Sequence, residues 1–196
     1  MSLTFYHSPY STSSATKAVL LVLGVEHTTV NVDLSKGETR TLEFLRINPN
    51  GRIPVLVVGD EVLFESAAIA VYLGEEFGVK AGLFPPAGIK RAHAIKWLIW
   101  SCTTLAAAAS AHTAQLPSKE GPAFEKSRKD LEGALIILDA QLASTEYVNG
   151  SFSIVDAHIR VLIGWIQAIG VSLAEFRNLS KWLELCVERP QLVNIQ

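Results

Sequence analysis

Two stretches decide the fold: Asn48-Pro49-Asn50-Gly51-Arg52-Ile53-Pro54-Val55-Leu56, and a little further on Leu63-Phe64-Glu65-Ser66-Ala67-Ala68-Ile69-Ala70-Val71-Tyr72-Leu73. Residues 48–51 halt a short amphipathic helix over 41–47, because proline and glycine do not continue it. Pro54 then opens a strand over 53–58, Gly59-Asp60 makes a tight turn, and 61–64 returns as the second arm of a hairpin. Ile53-Pro54 admits two readings. Spacing alone favours an ordinary trans proline at the start of a strand. A cis bond would instead leave the Ile53 backbone on an unpaired edge open to a peptide-like ligand. Glu65-Ser66 lies where this hairpin gives way to a helix over 66–77. Ser66 there is either a helix cap or, with Glu65, part of a cradle for a ligand's charged end.

Upstream, residues 3–7 read as a strand, and Tyr10-Ser11-Thr12-Ser13-Ser14 as a hydroxyl-rich loop. A helix over 15–24 follows, closed by Gly24, and then a β-branched strand over 27–32. The loop hydroxyls could donate to an anion at the helix start; taken alone they describe a polar loop with an N-cap. Strand–helix–strand favours parallel pairing and the hairpin demands antiparallel pairing, so the sheet is four-stranded and mixed. Residues 79–88, with Pro85-Pro86, read as a linker between an α/β half (1–78) and an all-helical half (89–196). The helices of the second half are expected over 89–112, 122–142, 154–169 and 173–188.

The 196 residues are 49% hydrophobic and 18% charged, with a net charge of −2. That is too apolar and too weakly charged for a disordered chain. The first 80 residues carry −3 and the remainder +1, so neither half suits a polyanion, and nucleic acid is not an expected partner. No apolar run approaches the roughly 18 residues of a membrane span, and the N-terminus has no signal-peptide pattern. A cytoplasmic protein is expected. The two cysteines, Cys102 and Cys186, offer neither a disulfide framework nor a CxxC site, and no metal site is expected.

Together, the hydroxyl loop, NPNGRIPVL and LFESAAIAVYL resemble the glutathione S-transferase superfamily, of a bacterial beta/nu-like or theta-like cytosolic class. The resemblance extends over the chain: Ser153-Ile154-Val155-Asp156 matches the N-capping box near the start of the family's core helix. It implies a thioredoxin-like domain followed by a helical bundle, glutathione as cosubstrate, and a symmetric homodimer. By the same resemblance, Ile53 and Pro54 meet the cysteinyl unit, and Glu65 and Ser66 hold the γ-glutamyl end. Arg52 and Lys36 fall near the glycine carboxylate, with Tyr10 beside the ligand and on the wall of a pocket for a small hydrophobic electrophile.

The resemblance also places Ser11 near the serine of the serine-type classes and Thr12 near the cysteine of a bacterial class. The loop length leaves this register open by a residue or two. Ser11 is preferred as the catalytic hydroxyl, then Thr12 or Ser13, then Tyr10. No cysteine precedes Cys102, so a mixed disulfide at the hydroxyl loop is excluded. Ala106-Ala107 stand where the cysteine-type class tends to carry His-Lys. The expected reaction is conjugation of glutathione thiolate to an electrophile. Glutathione-dependent disulfide reduction or peroxidase chemistry is the alternative within the fold, and a non-catalytic binding module the alternative outside enzymes.

Overall fold

The computed structural model describes residues 2–192. The last four residues of the expected helical half, 193–196, lie outside the described residues. Strands β1 (Leu3–His7), β2 (Thr28–Asn31), β3 (Val55–Val58) and β4 (Glu61–Phe64) form one sheet in the order β2-β1-β3-β4. β1 and β2 run parallel; β3 is antiparallel to β1 and to β4, with Phe5 opposite Leu56 and Val55 opposite Phe64. The mixed sheet expected from the residue order is therefore present.

Alternation along the strands gives the sheet two apolar faces. Leu3, Phe5, Leu56 and Val58 join the main core beneath helices α1 (Ser13–Leu23) and α3 (Ser66–Leu73). Tyr6, Val55 and Val57 pack on the opposite face with Val32 and with Phe44 of helix α2 (Leu42–Ile47). The Tyr6 and Phe44 rings meet edge to face at 6.0 Å, so Tyr6 serves this minor core. α1 begins two residues earlier than expected, and Gly24 closes it at φ 63 with its N–H on the Leu20 and Leu21 carbonyls.

The second half comprises α4 (Ile89–Trp100), α5 (Ala107–Gln115), α6 (Pro122–Leu142), α7 (Ile154–Ala168) and α8 (Arg177–Val187). α4 and α5 are one rod joined by a π-helical stretch, Ser101–Ala106, and α3 likewise widens into a π turn over Gly74–Gly78. A widened turn rotates the side chains that follow it, which is how such stretches come to serve sites. The last helix starts at Arg177 rather than near Leu173. Asp139 of α6 accepts from the Leu179 N–H (2.8 Å) and the Asn178 amide (2.9 Å), fixing that start from another helix. α1 lies against α7, where Ala18 and Ala157 let the two backbones approach.

Candidate active site

A cavity of about 210 Å³ opens where the 48–54 loop, the start of α3, the π stretch and α7 converge. Asn48 organises the loop: its amide donates to the Arg52 carbonyl at 2.7 Å, and its side-chain oxygen accepts from the Asn50 N–H at 3.1 Å. Gly51 sits at φ 59, and a Cβ there would come within 2.9 Å of the Thr39 carbonyl, so only glycine fits the bend. The Ile53–Pro54 bond is cis, the reading that spacing alone disfavoured. Ladder pairing of β3 begins at Val55, so Ile53 and Pro54 border the cavity ahead of the sheet.

Glu65 holds φ 72, a left-handed conformation unusual for a residue with a Cβ, directly before α3. Ser66 does not cap α3; its Oγ lies 3.3 Å from Cys102 Sγ in the π stretch. Beneath them Ser101 Oγ donates to the Leu98 carbonyl (2.7 Å) and so accepts from His158 Nδ1 at 3.2 Å. Nδ1 of this wholly buried histidine therefore carries its proton, and burial lowers its pKa to about 4. Its Nε2 is buried with no partner. Carboxylate, hydroxyl, thiol and two asparagines thus border one small recess suited to a short, charged peptide.

The hydroxyl loop forms a chain of hydrogen bonds. Ser13 is fully buried; its Oγ accepts from the Ser8 N–H (3.2 Å) and lies 2.8 Å from His7 Nδ1 and 2.6 Å from Ser11 Oγ. Ser11 Oγ accepts from the Ser13 N–H (3.2 Å) and donates to the Ser8 carbonyl at 2.7 Å. Burial, with the Lys17 charge adding to it, lowers the His7 pKa to about 4, so the ring is neutral near pH 7. Thr12 precedes α1 without a side-chain capping bond and is exposed.

A second, larger cavity of about 540 Å³ meets the first at Thr12 and Leu162, residues that border both. Tyr10, Ser11 and Ser14 form its near wall, Ser110 of α5 contributes one side, and α7 supplies Arg160, Val161, Leu162 and Trp165. A peptide-sized recess therefore adjoins a mainly apolar chamber, with the hydroxyl loop on the partition.

The chain matches the family "Glutathione S-transferase, N-terminal domain" over residues 1–75 and "Glutathione S-transferase, C-terminal domain" over 92–190. It is 34% identical over 194 residues to Glutathione S-transferase F10 of Arabidopsis thaliana, covering 93% of this chain and 90% of that protein. This chain belongs to the glutathione S-transferase superfamily. Among solved structures, a delta-class glutathione transferase of Nilaparvata lugens superposes with a TM-score of 0.87 at 27% identity, covering 94% of this chain and 88% of that one. A glutathione transferase homologue from Sulfitobacter, solved with bound glutathione, gives 0.83 at 24% identity over 98% and 95%, a likeness of fold.

In this member of the superfamily the fold gathers Arg52, Ile53, Pro54, Glu65 and Ser66 at the small cavity, and sets Tyr10 and Ser11 on the large one. Ser13 is shut inside the loop. Lys36 borders neither cavity and instead pairs with Asp33 at 3.0 Å on the surface. Several bordering residues escaped the sequence. Cys102 and His158 come from helices far along the chain, and the chamber is walled mainly by α7, with Ser110 alone from α5, whose Ala109 is core. The π stretch that turns Cys102 toward Ser66 leaves no pattern in the local residues. Asn48 and Asn50 were legible as a turn, though not as lining. Among the described residues, no cluster of three or more His, Cys, Asp or Glu is placed to hold a metal ion.

Proposed function

We propose that this protein binds glutathione in the small cavity and adds its thiolate to an electrophile held in the larger one. The observation that carries the reading is the junction of the two cavities at Thr12 and Leu162, beside the loop hydroxyls. Glu65 and Ser66 hold the γ-glutamyl end at the start of α3, and the Ile53 backbone pairs with the cysteinyl unit. Arg52 stands toward the glycine carboxylate. Lys36, committed to Asp33, has no part in this reading.

Ser11 is the activating hydroxyl. Its oxygen accepts from Ser13, which leaves its own O–H to turn from the Ser8 carbonyl to a thiolate. Lowering a thiol's pKa by about two units from about 8.5 takes about 2.7 kcal/mol. A charge-assisted hydrogen bond supplies about 1.5–3 kcal/mol and the start of α1 up to about 1, so the loop suffices. A second reading gives this role to Thr12, because it alone among the loop hydroxyls borders both cavities. In the reaction the thiolate forms a C–S bond, and the electrophile's leaving group departs or, in an addition, its carbanion takes up a proton. The protein acts as a cytoplasmic homodimer; sedimentation velocity tests the dimer.

The deciding experiment is an ultraviolet titration of the protein–glutathione complex, following thiolate absorbance against pH. The bound thiol should titrate clearly below free glutathione. Ser11→Ala should remove that shift and lower turnover while keeping glutathione affinity, and Glu65→Ala should weaken binding by about tenfold or more. If Thr12→Ala removes the shift and Ser11→Ala does not, the second reading holds. Binding without a shift in the unmodified protein would leave a glutathione-binding module.

A further inference from the structure

The larger cavity has one charged residue on its walls, Arg160, and no acidic one. The Arg160 Nε is buried with no hydrogen-bond partner, and among the described residues no carboxylate forms an ion pair with it. Other arginines are accommodated: Arg91 pairs with Glu75, Arg128 with Glu125 and Glu132, and Arg189 stacks on Phe152. Burial pushes the Arg160 pKa down, and the Cys186 sulfur, which acts the other way, belongs to a thiol that burial itself holds protonated. A second polar group bordering the same cavity also lacks a partner: Ser14 is 2% exposed and its Oγ makes no hydrogen bond. Around them stand Val161, Leu162 and Trp165. A cation beside apolar walls, where water screens poorly, favours a ligand that brings the missing negative charge.

We propose that the second substrate is an apolar electrophile carrying an anionic group, of the aryl carboxylate class, whose carboxylate pairs with Arg160. Its hydrophobic body lies against Trp165 and Leu162, which puts the electrophilic carbon on the Thr12 side of the chamber. The inference rests on the conjugation reading above and adds to it the charge of the substrate.

The test compares 4-chloro-3-nitrobenzoate with its neutral analogue 4-chloro-3-nitrobenzamide, in the unmodified protein and in Arg160→Met and Arg160→Lys. Comparing the ratio of kcat/KM for acid over amide between the proteins cancels the intrinsic difference in electrophile reactivity. The ratio should fall by about tenfold or more in Arg160→Met and be largely kept in Arg160→Lys. An unchanged ratio in Arg160→Met overturns the inference. A parallel measurement needs no chemistry: unreactive 3-nitrobenzoate and 3-nitrobenzamide are titrated against tryptophan fluorescence. Preference for the anion that disappears in Arg160→Met supports the site even if neither electrophile is turned over, in which case only the conjugation reading falls. Equal affinity of the two ligands in the unmodified protein overturns the anion site, whether or not conjugation occurs.

Discussion

Ser13 never reaches a cavity, yet it links the buried His7 ring to Ser11. If the His7 proton sat on Nε2, a buried donor would have no partner; on Nδ1 it is satisfied by Ser13 Oγ, and only an acceptor at Nε2 is orphaned. That choice directs the chain outward, from His7 to Ser13 to Ser11. Ser13→Ala should therefore raise the thiol pKa of bound glutathione and lower turnover several-fold with affinity kept, as read by the same absorbance titration; an unmoved pKa would reduce Ser13 to a packing role. His158 gives a prediction about stability. Its folded pKa of about 4 lies below the ordinary 6.5, so between those values the unfolded chain binds the proton and the folded chain does not. Stability contributed at neutral pH is lost as pH falls through that window, by about 2 kcal/mol at pH 5. His7 acts with the same sign, and buried Asp156, whose pKa is raised by burial, with the opposite one. Urea unfolding of His158→Gln at pH 7 and pH 5 isolates the term: the variant should lose less stability than the unmodified protein over that interval.

At the scale of elements, α7 depends on one carboxylate. Asp156 accepts from the Ser153 N–H (3.0 Å) and hydroxyl (3.1 Å), from the Val148 N–H (2.9 Å) and from Trp182 Nε1 (2.9 Å), and it is wholly buried. Asp156→Ala strands these donors in the core and should cost about 3–5 kcal/mol in urea unfolding, against about 1 for Ser153→Ala. Half of this was legible beforehand. The S-x-x-D box is local, as are the Gly59-Asp60 hairpin and the Gly24 cap, and each follows from a few adjacent residues. The bonds to Val148 and Trp182 join segments far apart in sequence, so no periodicity announces them. The same division runs through the site. Ile53, Glu65 and Ser66 lie in one compact motif, whereas Cys102, His158 and Arg160 reach their cavities only because a π stretch and the packing of α7 turn them inward. The late start of α8 is a further case, since the Leu179 N–H and the Asn178 side chain of its first turn answer to Asp139 on another helix.

At the scale of the molecule, the two halves share one core. Phe5, Leu20 and Leu73 from the first half belong to the same apolar cluster as Trp97, Leu105, Ile154 and Trp182 from the second. Gly74 marks how closely the halves are fitted: a Cβ there would come within 2.7 Å of both Ile154 Cδ1 and the Phe84 ring. The cavities inherit this arrangement, because α7 closes both of them against loops of the sheet half. Neither half can expose its share of the cluster to water without losing most of what holds it together, so unfolding should be a single cooperative event. The sequence supplies a clean test, since Trp97, Trp100, Trp165 and Trp182 all lie in the helical half. Tryptophan emission reports that half alone, while far-ultraviolet circular dichroism reports both. In urea the two signals should trace one coincident transition. Residues 1–80 expressed without the helices should lack a cooperative transition of their own. Separated midpoints, with the dichroism retaining a sheet-half transition after the emission change is complete, would show instead that the shared core is a contact between two self-sufficient domains.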